Sequence, residues 1–352
     1  MNNLAYKHLN LFGLLFMSTS IKKIPAFIPS RAKSSNSIEY QYVPKKIFKT
    51  WRTSEVSQEM YNAVYTWIDK NPDWEFHFFD DEACREFLKE NFEKDVLEAY
   101  DNIIPGAYKC DLWRYCVLYI HGGVYSDIKQ ELLVSLGDVL SNDIEFASVK
   151  DKYKSDYEFD GYIYQAFICS KPKHPFLKKA IDMIVENSKK GFYGNDPLSI
   201  TGPGLLGKAI NLTVNQQEKT PLYSGVNNIN NFRFELFPYI KDSIYTHQNS
   251  MFIKPEYNRS YKKELHVNLK KSFAGNYSLC WFTGKCFASG KIDRIKSKFF
   301  NKRKGRYIID SLYLEGKLSK ARLTGIKYIL LQPTRSLFLI RKIIKNEKQF
   351  KN

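Results

Sequence analysis

Residues 107–131, AYKCDLWRYCVLYIHGGVYSDIKQE, limit the folding choices of this chain more than any other stretch. From Asp111 to Tyr119 the apolar residues recur at helical spacing, with a carboxylate and a guanidinium three positions apart. Residues three apart share one face of a helix, so Asp111 and Arg114 can point into one cavity. Gly122-Gly123 then stops the helix, because glycine readily adopts the left-handed conformation that a helix end often needs. Val124 to Lys129 alternates like a short strand and carries Asp127 toward its end. In open α/β sheets ligands bind outside the carboxyl ends of strands. A period of two also places residues 127 and 129 on one face.

These residues carry a family resemblance. Asp111-x-x-Arg114 followed by Gly122-Gly123-Val124-Tyr125-x-Asp127 resembles the core of the family 32 glycosyltransferases, whose sugar-binding region contains a DXD motif. That family includes yeast-type mannosyltransferases and bacterial capsule and lipopolysaccharide transferases, and the stretch more distantly resembles the glucosylating domain of large clostridial toxins. The resemblance implies a GT-A-like α/β fold with a mixed central sheet flanked by helices. It also implies transfer of a hexose, with retained anomeric configuration, from a UDP- or GDP-sugar to a glycan or glycolipid acceptor in surface polysaccharide or glycoconjugate synthesis. Charge building on the departing diphosphate must be neutralised, and relatives use a divalent ion for this, usually manganese, held by the DXD carboxylates. Asp127 matches the first of these carboxylates and is the implied metal ligand. Asp111 and Arg114 would bind sugar hydroxyls and the phosphate side, and Tyr125 would pack beside the nucleotide. At the second DXD carboxylate this chain has Lys129. An ammonium cannot ligate a metal, so either Asp127 holds the ion without it or Lys129 itself neutralises the diphosphate. The implied catalytic set is Asp111, Arg114, Asp127 and Lys129.

The segments on either side fit an α/β order. Val43 to Trp51 reads as an opening strand introduced by a proline. It resembles the family's first strand, with Phe48 where histidine is usual, and Trp51 is placed either to stack on the nucleotide base or in the core. Glu55 to Lys70 has amphipathic helical spacing, and Trp74 to Phe79 alternates as a second strand ending at Asp80-Asp81. Asp80 lies near the nucleotide by resemblance, while N-capping of the next helix accounts for at least one of the two aspartates. Strand, helix and strand in succession suggest parallel crossovers. Beyond the central stretch, Glu145–Val149 and Gly161–Cys169 read as strands and Leu177–Asn187 as a helix. Gln165 stands where relatives carry an asparagine and is an implied sugar-hydroxyl ligand. His174, followed by proline, reads as a turn residue. Thr201-Gly202-Pro203 resembles the family's loop before a helix; Gly202 lets backbone N–H groups approach a ligand or simply starts that helix. Phe273 to Trp281 is a loose match to the family's closing Ser-Trp segment, and His266 lies nearby.

Charge separates the tail from the body. Residues 291–352 hold 18 Lys and Arg against 4 Asp and Glu, whereas residues 1–290 hold 36 against 33. Leu337 to Lys345 pairs an apolar cluster with cations, a pattern that fits an interfacial helix on an anionic membrane as well as a solvated tail. No nucleic-acid partner is expected, since basic and aromatic residues form no reader motif. Six cysteines with neither Cys-x-x-Cys nor zinc spacing read as reduced and structural. The apolar run Leu9–Ile21 is too short to span a bilayer as a helix. The expected organisation is a leader and linker over 1–37, a transferase domain over 38–290 and a basic, partly helical tail over 291–352. The expected location is cytoplasmic and peripheral to a membrane, or secretory if the apolar run is a signal. A competing reading is a non-catalytic polyanion- or membrane-binding protein on a degenerate transferase fold.

Overall fold

The computed structural model describes residues 21–31, 42–152, 154, 157–254 and 276–290. In chain order the strands begin with β1 (Lys22–Lys23), β2 (Phe27–Ile28), β3 (Lys46–Thr50), β4 (Glu55–Val56), β5 (Glu75–Phe79), β6 (Gly123–Ser126) and β7 (Glu131–Leu132). They continue with β8 (Phe146–Lys150), β9 (Ile163–Ser170), β10 (Gly225–Ile229), β11 (Phe232–Ile240), β12 (Ser243–Tyr245) and β13 (Met251–Lys254). The helices are α1 (Gln58–Asp69), α2 (Asp81–Asn91), α3 (Lys94–Asn102), α4 (Gly106–His121), α5 (Pro175–Lys190), α6 (Pro203–Thr213) and α7 (Tyr277–Thr283).

The main sheet is mixed, with strand order β2-β5-β3-β6-β9-β8-β11-β12-β13-β7 and β10 paired to β11. Strands β5, β3 and β6 run parallel, which requires long crossovers: α1 makes the first, and α2, α3 and α4 make the second. Beyond β6 the sense reverses at β9 and again at β8, and β8 pairs parallel to β11. The expected mixed sheet flanked by helices is therefore present. Every residue of β6 is buried. Val124 joins the core on the α1 face, with Trp67, Phe167 and Ile253, while Tyr125 joins the core on the opposite face, with Trp113, Leu118 and Ile168. Alternation along one strand thus feeds two cores.

The helix stop works as its composition suggests. Gly122 has φ +64° and its N–H reaches the Leu118 carbonyl at 2.8 Å. Gly123 has φ +101°, and a Cβ there would lie 2.5 Å from the Lys46 carbonyl oxygen. That close approach allows β6 to pair with β3 at once after α4.

Three expectations shift. Residues 21–31, within the expected leader and linker, join the sheets: β1 pairs with β4 and β2 pairs with β5, with Ile24 buried and Phe27 packed on the His77 ring at 4.9 Å. The first helix begins at Gln58, capped by Ser57, since Glu55–Val56 is taken into strand pairing. The strand predicted to reach Lys129 stops at Ser126, and Gln130 N–H closes a turn onto the Asp127 carbonyl at 3.1 Å. Ile128, buried in the core at the turn's corner, pulls the chain out of the sheet. Shared-face alternation therefore does not relate Asp127 to Lys129; a turn does. The remainder of the leader, the tail 291–352, His266 and the start of the closing segment at Phe273 lie outside the described residues.

Candidate active site

Trp51, Asp80 and Asp127 follow the carboxyl ends of β3, β5 and β6, so parallel pairing gathers them along one edge of the sheet. Trp51 is half-buried with Arg52 over its ring at 5.4 Å, so part of the ring remains accessible. Asp80 is the N-cap of α2 and accepts the Ala83 N–H at 2.9 Å.

Helix α4 is apolar on nearly all sides and buried, which allows its polar residues to project into a desolvated interior. Asp111 and Arg114 share a face, with Arg114 Nη2 3.3 Å from Asp111 Oδ1. The same nitrogen lies 3.5 Å from Asp127 Oδ1, so the guanidinium bridges the helix carboxylate to the one at the end of β6. Arg114 also donates from Nη1 to the Gln165 carbonyl at 2.9 Å and from Nη2 to Cys110 Sγ at 3.2 Å, and its Cζ lies 4.5 Å from the Tyr125 ring centre. Asp111 accepts from Gln165 Nε2 at 2.5 Å and from Thr201 Oγ1 at 2.7 Å. Tyr115 hydroxyl donates to Gln165 Oε1, fixing the amide so that its nitrogen faces Asp111. Tyr125 hydroxyl donates to Asp127 Oδ1 at 2.8 Å.

Asp111 and Arg114 are 7% exposed at the side chain, whereas Asp127 is 26% exposed. The cluster therefore opens at Asp127. Burial pushes the Asp111 carboxyl up, against the pull of Arg114 and its two hydrogen-bond donors. Burial likewise holds the Tyr125 phenol well above its usual value, so it stays a donor to Asp127. For Arg114 burial opposes the charge, but the surrounding acidic groups outweigh it and the guanidinium stays protonated.

Beneath the turn lies a residue that the sequence alone did not single out. Lys49, on β3, is fully buried over the Trp67 ring, and its Nζ donates to Ser126 Oγ at 3.0 Å and to the Asp127 carbonyl at 3.1 Å. Burial lowers its pKa well below the usual lysine range, against the attraction of Asp127. Tyr115 also went unrecognised, and Thr201, noted only as part of the loop before a helix, was not foreseen as a partner of Asp111. A lysine at an inward position of a strand was the available signal for Lys49; no local pattern signals these two pairings. Gly202 is the N-cap of α6 and starts that helix, bringing the Thr201 hydroxyl onto Asp111. Gln165 is a bridge within the cluster, its amide committed to Tyr115 and Asp111. His174 is the N-cap of α5, as a turn residue should be.

A divalent cation was implied at Asp127. The described residues contain no group of three His, Cys, Asp or Glu side chains able to hold a metal ion. Asp127 Oδ1 already accepts from Tyr125 and pairs with Arg114, and the next polar side chain along the turn is the ammonium of Lys129. A partly exposed carboxylate already engaged by the Tyr125 hydroxyl and the Arg114 guanidinium does not fit a divalent ion.

Residues 57–156 match the family model described as the glycosyltransferase sugar-binding region containing a DXD motif. Such enzymes usually use a divalent cation. Among curated relatives, the initiation-specific alpha-1,6-mannosyltransferase of Candida albicans is 26% identical over 220 residues, covering 51% of this chain and 57% of that protein. An uncharacterised glycosyltransferase of Acanthamoeba polyphaga mimivirus is 40% identical over 98 residues, covering 28% and 37%. Inositol phosphoceramide mannosyltransferase 3 of Schizosaccharomyces pombe is 35% identical over 86 residues, covering 24% of each chain. The chain thus spans from about a quarter to just over half of the length of these relatives. A solved structure, the PaToxG glycosyltransferase, aligns with a TM-score of 0.40 at 18% identity, covering 49% of this chain and 70% of that one. The resemblance drawn from the sequence is borne out over 57–156, the stretch that holds Asp111, Arg114 and Asp127.

Proposed function

We propose that this chain, whose residues 57–156 carry the sugar-binding region of DXD glycosyltransferases, transfers a hexose from a nucleoside-diphosphate sugar to a glycan or glycolipid hydroxyl. The observation that carries the reading is the buried Asp111–Arg114–Asp127 cluster, which opens at the carboxyl end of β6. Names of relatives favour mannose as the sugar and an inositol phosphoceramide or a glycan as the acceptor.

In the reaction the bond between the sugar's anomeric carbon and the diphosphate oxygen breaks, and its electron pair leaves with the nucleoside diphosphate. The acceptor oxygen bonds to that carbon and its proton passes to the departing phosphate, with configuration retained. What this chain supplies is position and charge. Arg114, locked by Asp111, Gln165 and the Tyr125 ring, is a fixed guanidinium just behind the opening at Asp127, oriented toward phosphate or sugar oxygens without reorganising. Asp127, oriented by Tyr125, is the partly open carboxylate suited to a sugar hydroxyl. Trp51, on the same edge, offers a stacking face to the base. Manganese at Asp127, the cofactor by resemblance, would screen the diphosphate but would find no group of three His, Cys, Asp or Glu side chains to hold it among the described residues. A lipid-borne acceptor would suit attachment of the basic tail, residues 291–352, to an anionic membrane surface on the cytoplasmic side.

The test is release of nucleotide from a panel of UDP- and GDP-sugars by the purified chain, with ceramide-linked and oligosaccharide acceptors. Turnover of one donor, lost in Asp127→Ala, supports the reading. Turnover unaffected by Asp127→Ala and by Arg114→Lys would overturn the assignment of the site.

A further inference from the structure

The mismatch between the donor set and a divalent ion has a positive counterpart in Lys129. Four observations converge on it. First, the second carboxylate of the Asp-x-Asp pattern is replaced by lysine. Second, the turn that carries it is rigid: Gln130 N–H bonds the Asp127 carbonyl at 3.1 Å, Ile128 is buried, and Ser126 Oγ donates to Gln130 Oε1 at 2.7 Å. Lys49 holds the same turn from below through Ser126 and the Asp127 carbonyl. Third, Lys129 is partly exposed, two residues from Asp127, and has no hydrogen-bond or ion-pair partner among the described residues. Fourth, Asp127 and Asp111 are already balanced by the guanidinium of Arg114, which touches both.

Resting on the transferase reading above, we infer that the Lys129 ammonium takes the place of the divalent cation and binds the donor's diphosphate, so that donor binding does not need a metal. A lysine is a compact point charge with three donors, a form well suited to phosphate oxygens. Held on an anchored turn, it opposes the charge that builds on the leaving diphosphate as the anomeric bond breaks. The same ammonium repels a dication placed beside Asp127, so the two ways of neutralising the diphosphate exclude each other.

The experiment measures binding of GDP and UDP to the full chain by calorimetry, in EDTA and in manganese chloride, for the native protein, Lys129→Met and Lys129→Asp. For the native chain the affinity for the preferred nucleotide should be the same within about twofold in EDTA and in manganese. Lys129→Met should lose at least tenfold in EDTA, with an unchanged circular dichroism melt because the side chain is partly exposed and unpaired. Lys129→Asp, which restores a carboxylate pair, should bind only when manganese is present. Native binding that requires manganese, or Lys129→Met binding as tightly as native in EDTA, overturns this inference and leaves the transferase reading standing. Failure of both nucleotides to bind the folded chain under any condition overturns the transferase reading, and the inference with it.

Discussion

Replacing Asp111 with asparagine isolates the buried ion pair on which the site rests. The substitution preserves shape but leaves the Arg114 guanidinium, 7% exposed, facing Asp127 at 3.5 Å as its remaining carboxylate partner. Thr201 can rotate its hydroxyl to accept from the new amide, whereas Gln165 Nε2, held by Tyr115, keeps the carbonyl oxygen as its acceptor. Breaking one side of a buried pair costs about 3–5 kcal/mol, and asparagine, retaining one acceptor, belongs near the lower end. At about 2–4 °C per kcal/mol for a domain of this size, a loss of about 3 kcal/mol lowers the melting temperature by roughly 6–12 °C. The double variant Asp111→Asn with Arg114→Met carries the sharper expectation. Burial pushes the Asp111 carboxyl up ahead of the pull of Arg114, so the pair is costly to keep dry. Removing both charges should therefore cost no more than removing one, giving a coupling of about 2–3 kcal/mol in a urea-denaturation cycle. A single-variant loss under about 1 kcal/mol, or additive losses in the double variant, would refute the claim that this pair is a tightly coupled, desolvated unit.

Three further outcomes follow from the same geometry. His174 is held neutral by burial, with its pKa lowered to about 3, so the stability it contributes is full above its unfolded value near 6.5 and declines as pH falls through that value. Between pH 7 and pH 5 the loss is about 2 kcal/mol, and His174→Asn, which keeps the cap on α5, should flatten that part of a pH–stability curve measured by urea denaturation. Gly207→Ala would drive a Cβ into the Gly161 carbonyl oxygen, forcing α6 off its neighbour; a loss of about 1–3 kcal/mol is expected from thermal melts, and an unchanged melt would refute the packing. Lys49→Met removes the ammonium that donates to Ser126 Oγ and the Asp127 carbonyl and leaves those acceptors short of a donor beneath the turn, so a loss of about 1–3 kcal/mol is expected together with a fall of at least about tenfold in kcat/KM. A large melting loss with full activity would show that Lys49 serves the core and not the site.

Helix α4, its glycine stop, the strand that follows, and the Asp111–Arg114 pair could all be read from the sequence, because each depends on spacing within one turn of helix or on the conformational freedom of glycine. The parallel run of β3, β5 and β6 was also legible from the order of strand and helix patterns, since parallel neighbours need a crossover. The extent of β6 was not. Alternation from Val124 to Lys129 is compatible with a strand, and the chain leaves the sheet at Asp127 because Ile128 finds a core on the α1 face and Lys49 supplies donors to the turn's carbonyls. Residue 49 lies 77 positions from Ser126, 54 separate Asp111 from Gln165, and 90 separate Asp111 from Thr201. No local pattern reports such pairings, which arise when three elements dry a shared volume and each buried polar atom must find a partner within it. The sequence alone thus determined which residues carry the charge of this protein and which short elements hold them. Only the tertiary structure decided which of those charges are locked together and which, such as Lys129, are left partly exposed without a partner among the described residues, because desolvation and pairing depend on neighbours distant in the chain.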